Sequence, residues 1–154
     1  GTRFDLYFPA ITDVEDSKRL RKKTRLLDGS GKYVLLLDDE QGIVEFTKKV
    51  LESFGFNVAF RNNGSDGFAA FQQAPDKYDL IITDMTMPHM TGLEMAEKIN
   101  KIKPDIPIIL CTGFRKGFSK SVLEAKGINE VLMKPVLKAE LADAIYNIFS
   151  TRKK

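Results

Sequence analysis

The sequence predicts an α/β fold, a doubly wound, five-stranded parallel sheet with helices on both faces. Two observations lead to this prediction. From Lys32 onward, five short apolar runs alternate with segments of helical periodicity, all within about 120 residues. The apolar runs are nearly continuous instead of alternating with polar residues, which is typical of strands that helices cover on both sides. A chain of 154 residues is long enough to bury the core of one such domain.

Five strands are predicted, at about 33–38, 57–61, 80–84, 108–112 and 130–133. Crossovers between parallel strands are almost always right-handed, which leaves few topologies for five such units. The flavodoxin-like strand order 2-1-3-4-5 fits best. It sets strands one, three and four side by side, with strand five next to strand four.

Helices are predicted at 40–54, 64–73, 93–102, near 118–125 and at 137–148. The first and the last have the clearest apolar stripes, formed by Ile43, Val44, Phe46, Val50, Leu51 and Phe54 and by Leu137, Leu141, Ala144, Ile145 and Ile148. We expect both stripes to face the core. Gly55 is expected to end the first helix as a C-cap. The fourth helical pattern, near Phe118, is the least regular of the five.

The charge distribution argues against a nucleic-acid partner. The formal net charge is +3, and residues 1–31 contribute +2 of it, with seven Lys or Arg against five Asp or Glu. The segment Arg152–Lys154 contributes another +3. Residues 32–151 are therefore slightly acidic, at 14 minus 16, whereas a nucleic-acid footprint clusters basic residues on the folded body.

The sequence predicts a cytoplasmic location and no membrane contact by this chain. No apolar run approaches the roughly 18 residues that a membrane helix needs. The chain begins with neither a Met nor a signal-peptide pattern. The single Cys111 excludes an internal disulfide and is typical of a reducing compartment. We expect a cytoplasmic piece of a longer protein, with any membrane anchor upstream of it, and a buried, unreactive Cys111.

Polar residues stand at the ends of four predicted strands. Asp38 and Asp39 come at the end of the first, Asp84 ends the third, Thr112 ends the fourth and Lys134 follows the fifth. Ligands bind at the carboxyl ends of the strands in an open parallel sheet, so these five side chains are expected at one rim. Taken alone, Asp39 is equally well a turn or helix-capping residue, and Thr112 and Lys134 each begin a loop. Capping does not explain the whole set.

The charges at this rim predict a magnesium site. The three carboxylates bring −3 and Lys134 returns +1, and a remaining −2 among oxygen ligands favours a hard divalent cation such as Mg²⁺. Asp84 is followed by a loop, so its carboxylate can project toward a substrate and act as a nucleophile toward phosphorus. Thr112 can donate to one phosphoryl oxygen and Lys134 can neutralise another. The set suits phosphoryl transfer, which depends mainly on positioning and charge neutralisation.

Residues 32–151 resemble the receiver domain of response regulators in bacterial two-component signalling. The matching segments are Leu37–Glu40, Asp84–Pro88 with Gly92, Thr112–Gly113 and Lys134–Pro135. The resemblance implies signal transduction by a phosphorelay. A phosphoryl group would pass from a phosphohistidine to Asp84 and then be hydrolysed or passed on. Such domains often pair through the face of the fourth helix, so a homodimer is a further expectation.

The resemblance implies a set of metal ligands as well. Asp39 and Asp84 would bind Mg²⁺ directly, together with the main-chain carbonyl oxygen of Thr86. Asp38 would act through a water molecule bound to the metal. Mg²⁺ typically keeps several waters beside one or two carboxylates, which agrees with this set.

The remaining rim residues would contact the phosphoryl group. Thr112 and Lys134 would bind its oxygens, and the peptide bond between Lys134 and Pro135 would be cis. One position departs from the family pattern. Three residues before its Lys, the family usually has Tyr or Phe, which turns inward as the Thr moves, and this chain has Val131. This chain therefore lacks the aromatic side chain of that switch at position 131, and Phe114 is a candidate to move instead.

The first residues carry a second resemblance. Gly1–Pro9 resembles the last strand of a histidine-kinase ATPase domain. Residues 1–10 are then a remnant of that domain, 11–31 a charged linker that ends in a flexible joint at Gly29–Gly31, and 32–154 the receiver. This arrangement predicts the C-terminal receiver of a hybrid sensor histidine kinase. Its phosphohistidine would lie in the same polypeptide, which raises the effective concentration of the donor, and a histidine phosphotransfer protein would act downstream.

Several alternatives stay open. The chain is also compatible with a stand-alone response regulator that acts through protein–protein contacts, or with a degenerate receiver that only docks a partner. A phosphatase or phosphotransferase with an aspartyl intermediate often carries a second acid where this chain has Thr86. A flavin-binding flavodoxin shares the fold, but the carboxylate cluster would repel its phosphate unless a metal ion is present. His89, the only His, lies in a loop and is expected at the surface.

Overall fold

The computed structural model describes residues 27–113 and 119–151. Its five strands are β1 (Tyr33–Leu37), β2 (Asn57–Arg61), β3 (Leu80–Asp84), β4 (Ile108–Thr112) and β5 (Glu130–Met133). They form one sheet in the order β2-β1-β3-β4-β5, and every neighbouring pair is parallel. The predicted fold class and strand order are both confirmed. The order matters for the site, because it brings the ends of β1, β3 and β4 together.

The helices are α1 (Gln41–Ser53), α2 (Gly64–Gln73), α3 (Gly92–Ile102), α4 (Lys120–Ala125) and α5 (Lys138–Thr151), with one 3-10 turn at Pro75–Lys77. Local chemistry sets several of their ends. Gly55, with φ of +90°, follows the C-cap of α1 as expected, because a residue with a side chain is strained there. At the start of α3, Thr91 and Glu94 form a reciprocal capping box.

Two apolar clusters cover the two faces of the sheet. The first contains Val34 and Leu36 of β1 with residues of α1 and α5, such as Leu51 and Ile145. The second contains the alternate residues of β1 with residues of α2 and α3, such as Phe71, Met95 and Ile99. Successive strand residues point to opposite faces, so each strand contributes to both clusters. This explains why β1, β3 and β4 are almost entirely apolar.

Two residues of the predicted core stripes are exposed. Phe46 has 54% of its surface exposed, and Leu137 has 59% exposed and lies before the start of α5. In α1 the buried face runs through Val44, Thr47 and Val50, so it passes through a polar residue and leaves Phe46 about a quarter turn away. The prediction that both whole stripes face the core was therefore wrong at these two positions.

Leu27 packs against the first cluster. Gly29–Gly31, expected to be a flexible joint, forms a hydrogen-bonded turn.

Other predictions concern residues outside the described ranges, namely the ATPase remnant at 1–10, most of the linker, and Phe114 and Phe118. None of the described helices is long and apolar enough to cross a membrane.

Candidate functional site

The carboxyl edge of the sheet holds a buried ion-pair cluster formed by Asp38, Asp84 and Lys134. Asp38 follows β1 and is 3% exposed, and Asp84 ends β3 and is 6% exposed. Lys134 follows β5, and its side chain passes the end of β4 to reach both carboxylates. Its Nζ lies 2.9 Å from Oδ2 of Asp38 and 2.8 Å from Oδ1 of Asp84. The sheet thus brings together three of the predicted residues from three separate strand ends.

Main-chain amides hold the other oxygen of each carboxylate. The amide of Glu40 donates to Oδ1 of Asp38 at 2.9 Å. The amide of Thr86 donates to Oδ2 of Asp84 at the same distance. Each carboxylate is therefore oriented by one amide and one ammonium group, and hydrogen bonds to charged acceptors are among the strong ones. The two acids are fixed in place before any ligand arrives.

Burial and ion pairing act in opposite directions on these groups. Burial alone lowers the pKa of Lys134, but its hydrogen bonds with Asp84 and Asp38 outweigh burial and raise that pKa overall. Burial raises the pKa of Asp38, against the opposing effect of the Lys134 ammonium and the Glu40 amide. Lys134 therefore stays charged at neutral pH, and it supplies a permanent positive charge at this edge.

Asp39 lies beside the cluster but faces outward. Its side chain is exposed, at the rim of an open pocket that Lys48, Phe60 and Asn62 also line. Glu40 is exposed as well, with Oε1 at 3.7 Å from Nζ of Lys134. The structure thus places Asp39 at the solvent side of the predicted rim, where a hydrated ion can approach it.

The donor set at this edge fits Mg²⁺. Asp38, Asp39 and Asp84 offer only oxygen ligands, and Mg²⁺ combines one or two carboxylates with waters. An oxygen that accepts one hydrogen bond keeps a second lone pair, so the bonds to Asp38 and Asp84 leave room for a ligand. Within residues 27–113 and 119–151, no three acidic, His or Cys side chains are arranged to hold a metal ion by themselves. The assignment of ligands stays a prediction.

The loop between β3 and α3 comes very close to Asp84. A Cβ atom added to Gly92 would lie 2.2 Å from the carbonyl oxygen of Asp84, so a side chain cannot fit there without movement. The Gly92 amide donates to the carbonyl oxygen of Met85, and the Met85 amide donates to that of Cys111. These bonds fix the backbone after Asp84. His89 lies in the same loop and is exposed, as expected.

Thr112 is at the predicted strand end, but its hydroxyl proton is directed to a sulfur atom. The residue is 2% exposed, and its Oγ1 donates to Sδ of Met85 at 3.6 Å. Its carbonyl oxygen accepts from the Lys134 amide at 2.8 Å. The sequence had not singled out Met85, since a Met beside an apolar run is typical of core packing. Only the contact itself reveals it.

An apolar cavity of about 340 Å³ adjoins the ion-pair cluster between α1 and α5. Asp38, Asp84 and Lys134 line one part of it, and the partly exposed Phe46 and Leu137 line another. The two exposed apolar residues thus stand near the site, not in the core.

Cys111 is buried, as expected, and burial raises the pKa of its thiol to about 12. Val131, at the position where the family has an aromatic residue, is partly buried and paired with Leu110. The bond between Lys134 and Pro135 is cis, as the resemblance implied.

Comparison with known proteins agrees with this geometry. Residues 34–146 match the family model described as the response regulator receiver domain. The chain is 32% identical over 114 residues to the response regulator receiver protein CpdR of Brucella abortus. That alignment covers 74% of this chain and 93% of CpdR. It is 25% identical over 152 residues to the sensor kinase CckA of the same organism. That alignment covers 94% of this chain and 16% of the kinase.

A solved structure supports the fold at similar identity. The response regulator receiver domain protein of Clostridium thermocellum is 31% identical to this chain and superposes with a TM-score of 0.73. The superposition covers 79% of this chain and 97% of that one. The likeness extends over nearly the whole of that solved chain, whereas this chain corresponds to only a small part of the kinase relative.

Proposed function

The chain belongs to the response regulator receiver domain family, and from this we propose that Asp84 accepts a phosphoryl group from a phosphohistidine with Mg²⁺ as cofactor. The observation that carries the proposal is the position of Asp84. Its carboxylate is buried at the carboxyl edge of the sheet, 2.8 Å from the Lys134 ammonium and oriented by the Thr86 amide. A fixed nucleophile beside a permanent cation is what phosphoryl transfer requires.

In the proposed reaction, a carboxylate oxygen of Asp84 attacks phosphorus as the bond between phosphorus and the imidazole nitrogen breaks. The nitrogen keeps the electron pair of that bond, and the histidine is returned to its free form. Lys134 neutralises charge on the phosphoryl oxygens, and Thr112 is the nearby hydroxyl that can donate to one of them. In hydrolysis, water attacks phosphorus, and the acyl phosphate yields the Asp84 carboxylate and inorganic phosphate.

Receiver domains of this family generally bind Mg²⁺. In this chain Asp39, Asp84 and the carbonyl oxygen of Thr86 would hold the ion, with Asp38 bound through water. When bound, Mg²⁺ would offset the negative charge that the carboxylates and the phosphoryl oxygens bring together. The exposed position of Asp39 and the lone pairs left on Asp84 support this assignment.

Phosphorylation by a small phosphodonor tests the proposed acceptor. We expect wild-type protein with Mg²⁺ to gain one acid-stable, hydroxylamine-labile phosphoryl group. Asp84→Asn should lose nearly all of it, since an amide is not a comparable nucleophile. Asp105→Asn, which changes an exposed Asp outside the cluster, is the matched control and should be labelled like wild type. An equal load on Asp84→Asn would show that the acceptor is elsewhere.

We further propose that the phosphodonor histidine lies in the same polypeptide, as in a hybrid sensor histidine kinase. The match to the sensor kinase CckA supports this, because it covers 94% of the chain and so extends upstream of residue 34, where the family match begins. The resemblance of Gly1–Pro9 to a kinase ATPase strand points the same way. Transfer from the kinase to Asp84 within the full-length protein should then be independent of protein concentration.

A stand-alone regulator is the second candidate, favoured by a different observation. The chain spans 93% of the receiver protein CpdR. In that case the donor is a separate protein, and the rate of transfer should rise in proportion to its concentration. The same measurement therefore separates the two arrangements, and a histidine phosphotransfer protein can be added to either to test onward transfer from Asp84.

A further inference from the structure

Building on the proposed phosphorylation of Asp84, we propose that Met85 is a positioning residue for Thr112. Its sulfur binds the hydroxyl proton of Thr112 before phosphorylation and releases it to the phosphoryl group afterwards. The basis is the hydrogen bond from Oγ1 of Thr112 to Sδ of Met85, at 3.6 Å. A hydroxyl has one proton to donate, so a proton directed to sulfur is not directed to Asp84.

The two side chains involved lie on the other face of the sheet from the carboxylate of Asp84. Asp84 contacts Lys134 beside the cavity lined by α1 and α5. The next residue, Met85, points the opposite way and packs against the second apolar cluster. Thr112 follows Cys111, the partner of Asp84 in the neighbouring strand, so it lies diagonally opposite the proposed phosphoryl site. In the proposal, rotation of the Thr112 side chain changes the acceptor of its hydroxyl.

The strengths of the two acceptors set the direction of this exchange. A thioether sulfur is a weak, neutral acceptor. A phosphoryl oxygen on Asp84 is anionic, and hydrogen bonds to charged acceptors are markedly stronger. Without the phosphoryl group the hydroxyl of Thr112 donates to the sulfur, and with the phosphoryl group present the stronger acceptor takes that proton.

The backbone of Met85 does not need to move in this exchange. Its amide donates to Cys111 at 2.9 Å, and its carbonyl oxygen accepts from Gly92 at 3.0 Å. The change is therefore confined to its unbranched side chain, which adapts easily. Leu123 and Val131 pack against the same cluster, so a released Met85 side chain would press on the end of α4 and on β5. That route does not depend on an aromatic residue at position 131.

The methyl groups of the methionines provide a direct readout. The chain has five Met residues, at 85, 87, 90, 95 and 133, and all lie in described segments. We would label their methyl carbons and titrate the protein with Mg²⁺ and beryllofluoride, a stable mimic of the phosphoryl group. The Met85 signal should shift on binding, and it should shift much less in Thr112→Val, where there is no hydroxyl to release.

Two substitutions of Met85 should change affinity in opposite directions. Met85→Leu removes the sulfur acceptor at similar volume, so beryllofluoride should bind about two- to fourfold more tightly, the scale of one weak neutral hydrogen bond. Met85→Gln supplies a stronger acceptor on an unbranched chain, so binding should weaken by a similar factor. Met90→Leu, at a partly buried Met of the same cluster, is the control and should bind like wild type.

In the Thr112→Val background, Met85→Leu should have no further effect on affinity, because the two residues act through one hydrogen bond. An unchanged affinity in both Met85 variants, or an equal effect with and without Thr112, would overturn the proposal. Either result leaves labelling of Asp84 intact. Failure of the proposed function would look different, since wild type would then neither bind the mimic nor take up phosphate.

Discussion

At the carboxyl edge of the sheet, the functional side chains on the two faces are held by different kinds of contact. On one face, the acidic side (Asp38, Asp84 and Lys134) is fixed by charged contacts of 2.8 and 2.9 Å. On the other, the threonine side (Met85 and Thr112) includes a hydrogen bond of 3.6 Å from a hydroxyl to a neutral sulfur. The first is strong and hard to rearrange, and the second is weak and easily exchanged.

This difference assigns a task to each side. A nucleophile must be held in place before its substrate arrives, because positioning supplies much of the rate of phosphoryl transfer. A group that reports the product must be able to change partner once the product has formed. The acidic side suits the first task and the threonine side suits the second, although Asp84 and Met85 are adjacent in the chain.

The largest effect on stability is expected from removing the cation of the acidic side. Lys134→Met leaves two carboxylates with little solvent exposure and no neighbouring ammonium. We expect the free energy of unfolding in urea to fall by about 3 kcal/mol, the scale of a broken buried pair. Added Mg²⁺ should recover part of the loss, because it binds the folded state.

Lys101→Met is the control for this experiment. Lys101 pairs with Glu97 at 3.2 Å, but 72% of its side chain is exposed. Its loss should cost less than about 1 kcal/mol. If the two variants proved equally stable, the acidic side would not be held by its ion pairs, and the contrast between the faces would fail.

A smaller effect is expected from crowding the loop that separates the two sides. Gly92→Ala places a methyl group 2.2 Å from the carbonyl oxygen of Asp84, which should cost about 2 kcal/mol of stability. It should also slow labelling of Asp84, since the strand end must shift. Gly42→Ala in α1 meets no atom within 4 Å, and as a helical Gly it should gain up to about 1 kcal/mol. Equal stability of the two variants would contradict the close approach.

The smallest effect is expected from an exposed ion pair away from the site, which joins Glu97 of α3 to Lys126 after α4. Hydrogen bonds from Lys126 and Lys101 lower the pKa of the Glu97 carboxyl below its ordinary 4.5. The ionised Glu97 carboxylate therefore contributes stability above its ordinary pKa, and this contribution is lost as the pH falls through the lowered pKa of the folded state. Glu97→Gln should therefore unfold in slightly less urea at neutral pH, with no difference in acid.

Glu45→Gln, at an exposed position of α1 that accepts a hydrogen bond from Gln41, is the matched control for Glu97→Gln. Its urea midpoint should follow that of wild type throughout. A difference between Glu97→Gln and wild type that grew as the pH fell would contradict the lowered pKa, because the protonated carboxyl and the amide should then behave alike.

Much of the fold was predictable because periodicity reports burial directly. Strands that are covered on both faces are apolar throughout, and this located β1, β3 and β4 closely. The end of α1 was predictable from Gly55, whose backbone conformation disfavours other residues. Phe46 and Leu137 were misplaced because hydrophobicity does not reveal which apolar residues line a cavity open to solvent.

For the candidate site, the positions of the residues were predictable, but not all of their contacts. Strand-end positions placed Asp38, Asp84 and Lys134 at one edge, and the structure brings these three into contact. Thr112 lies at the expected strand end, but its bond to Met85 had no signal in the sequence. Such a bond depends on the side-chain conformations of two residues on different strands, which no local pattern encodes.

The sequence by itself determined the sheet order, the polar residues at each strand end and the family to which they belong. These follow from local periodicity and from the rule that parallel strands present their carboxyl ends at one edge. Only the tertiary structure decided that Lys134 passes β4 to reach both acids, that Asp39 faces solvent and that Thr112 rests on sulfur. The physical reason is that the position of a residue along its strand fixes where its Cα lies. The contacts of its side chain depend on packing against segments that are distant in the sequence.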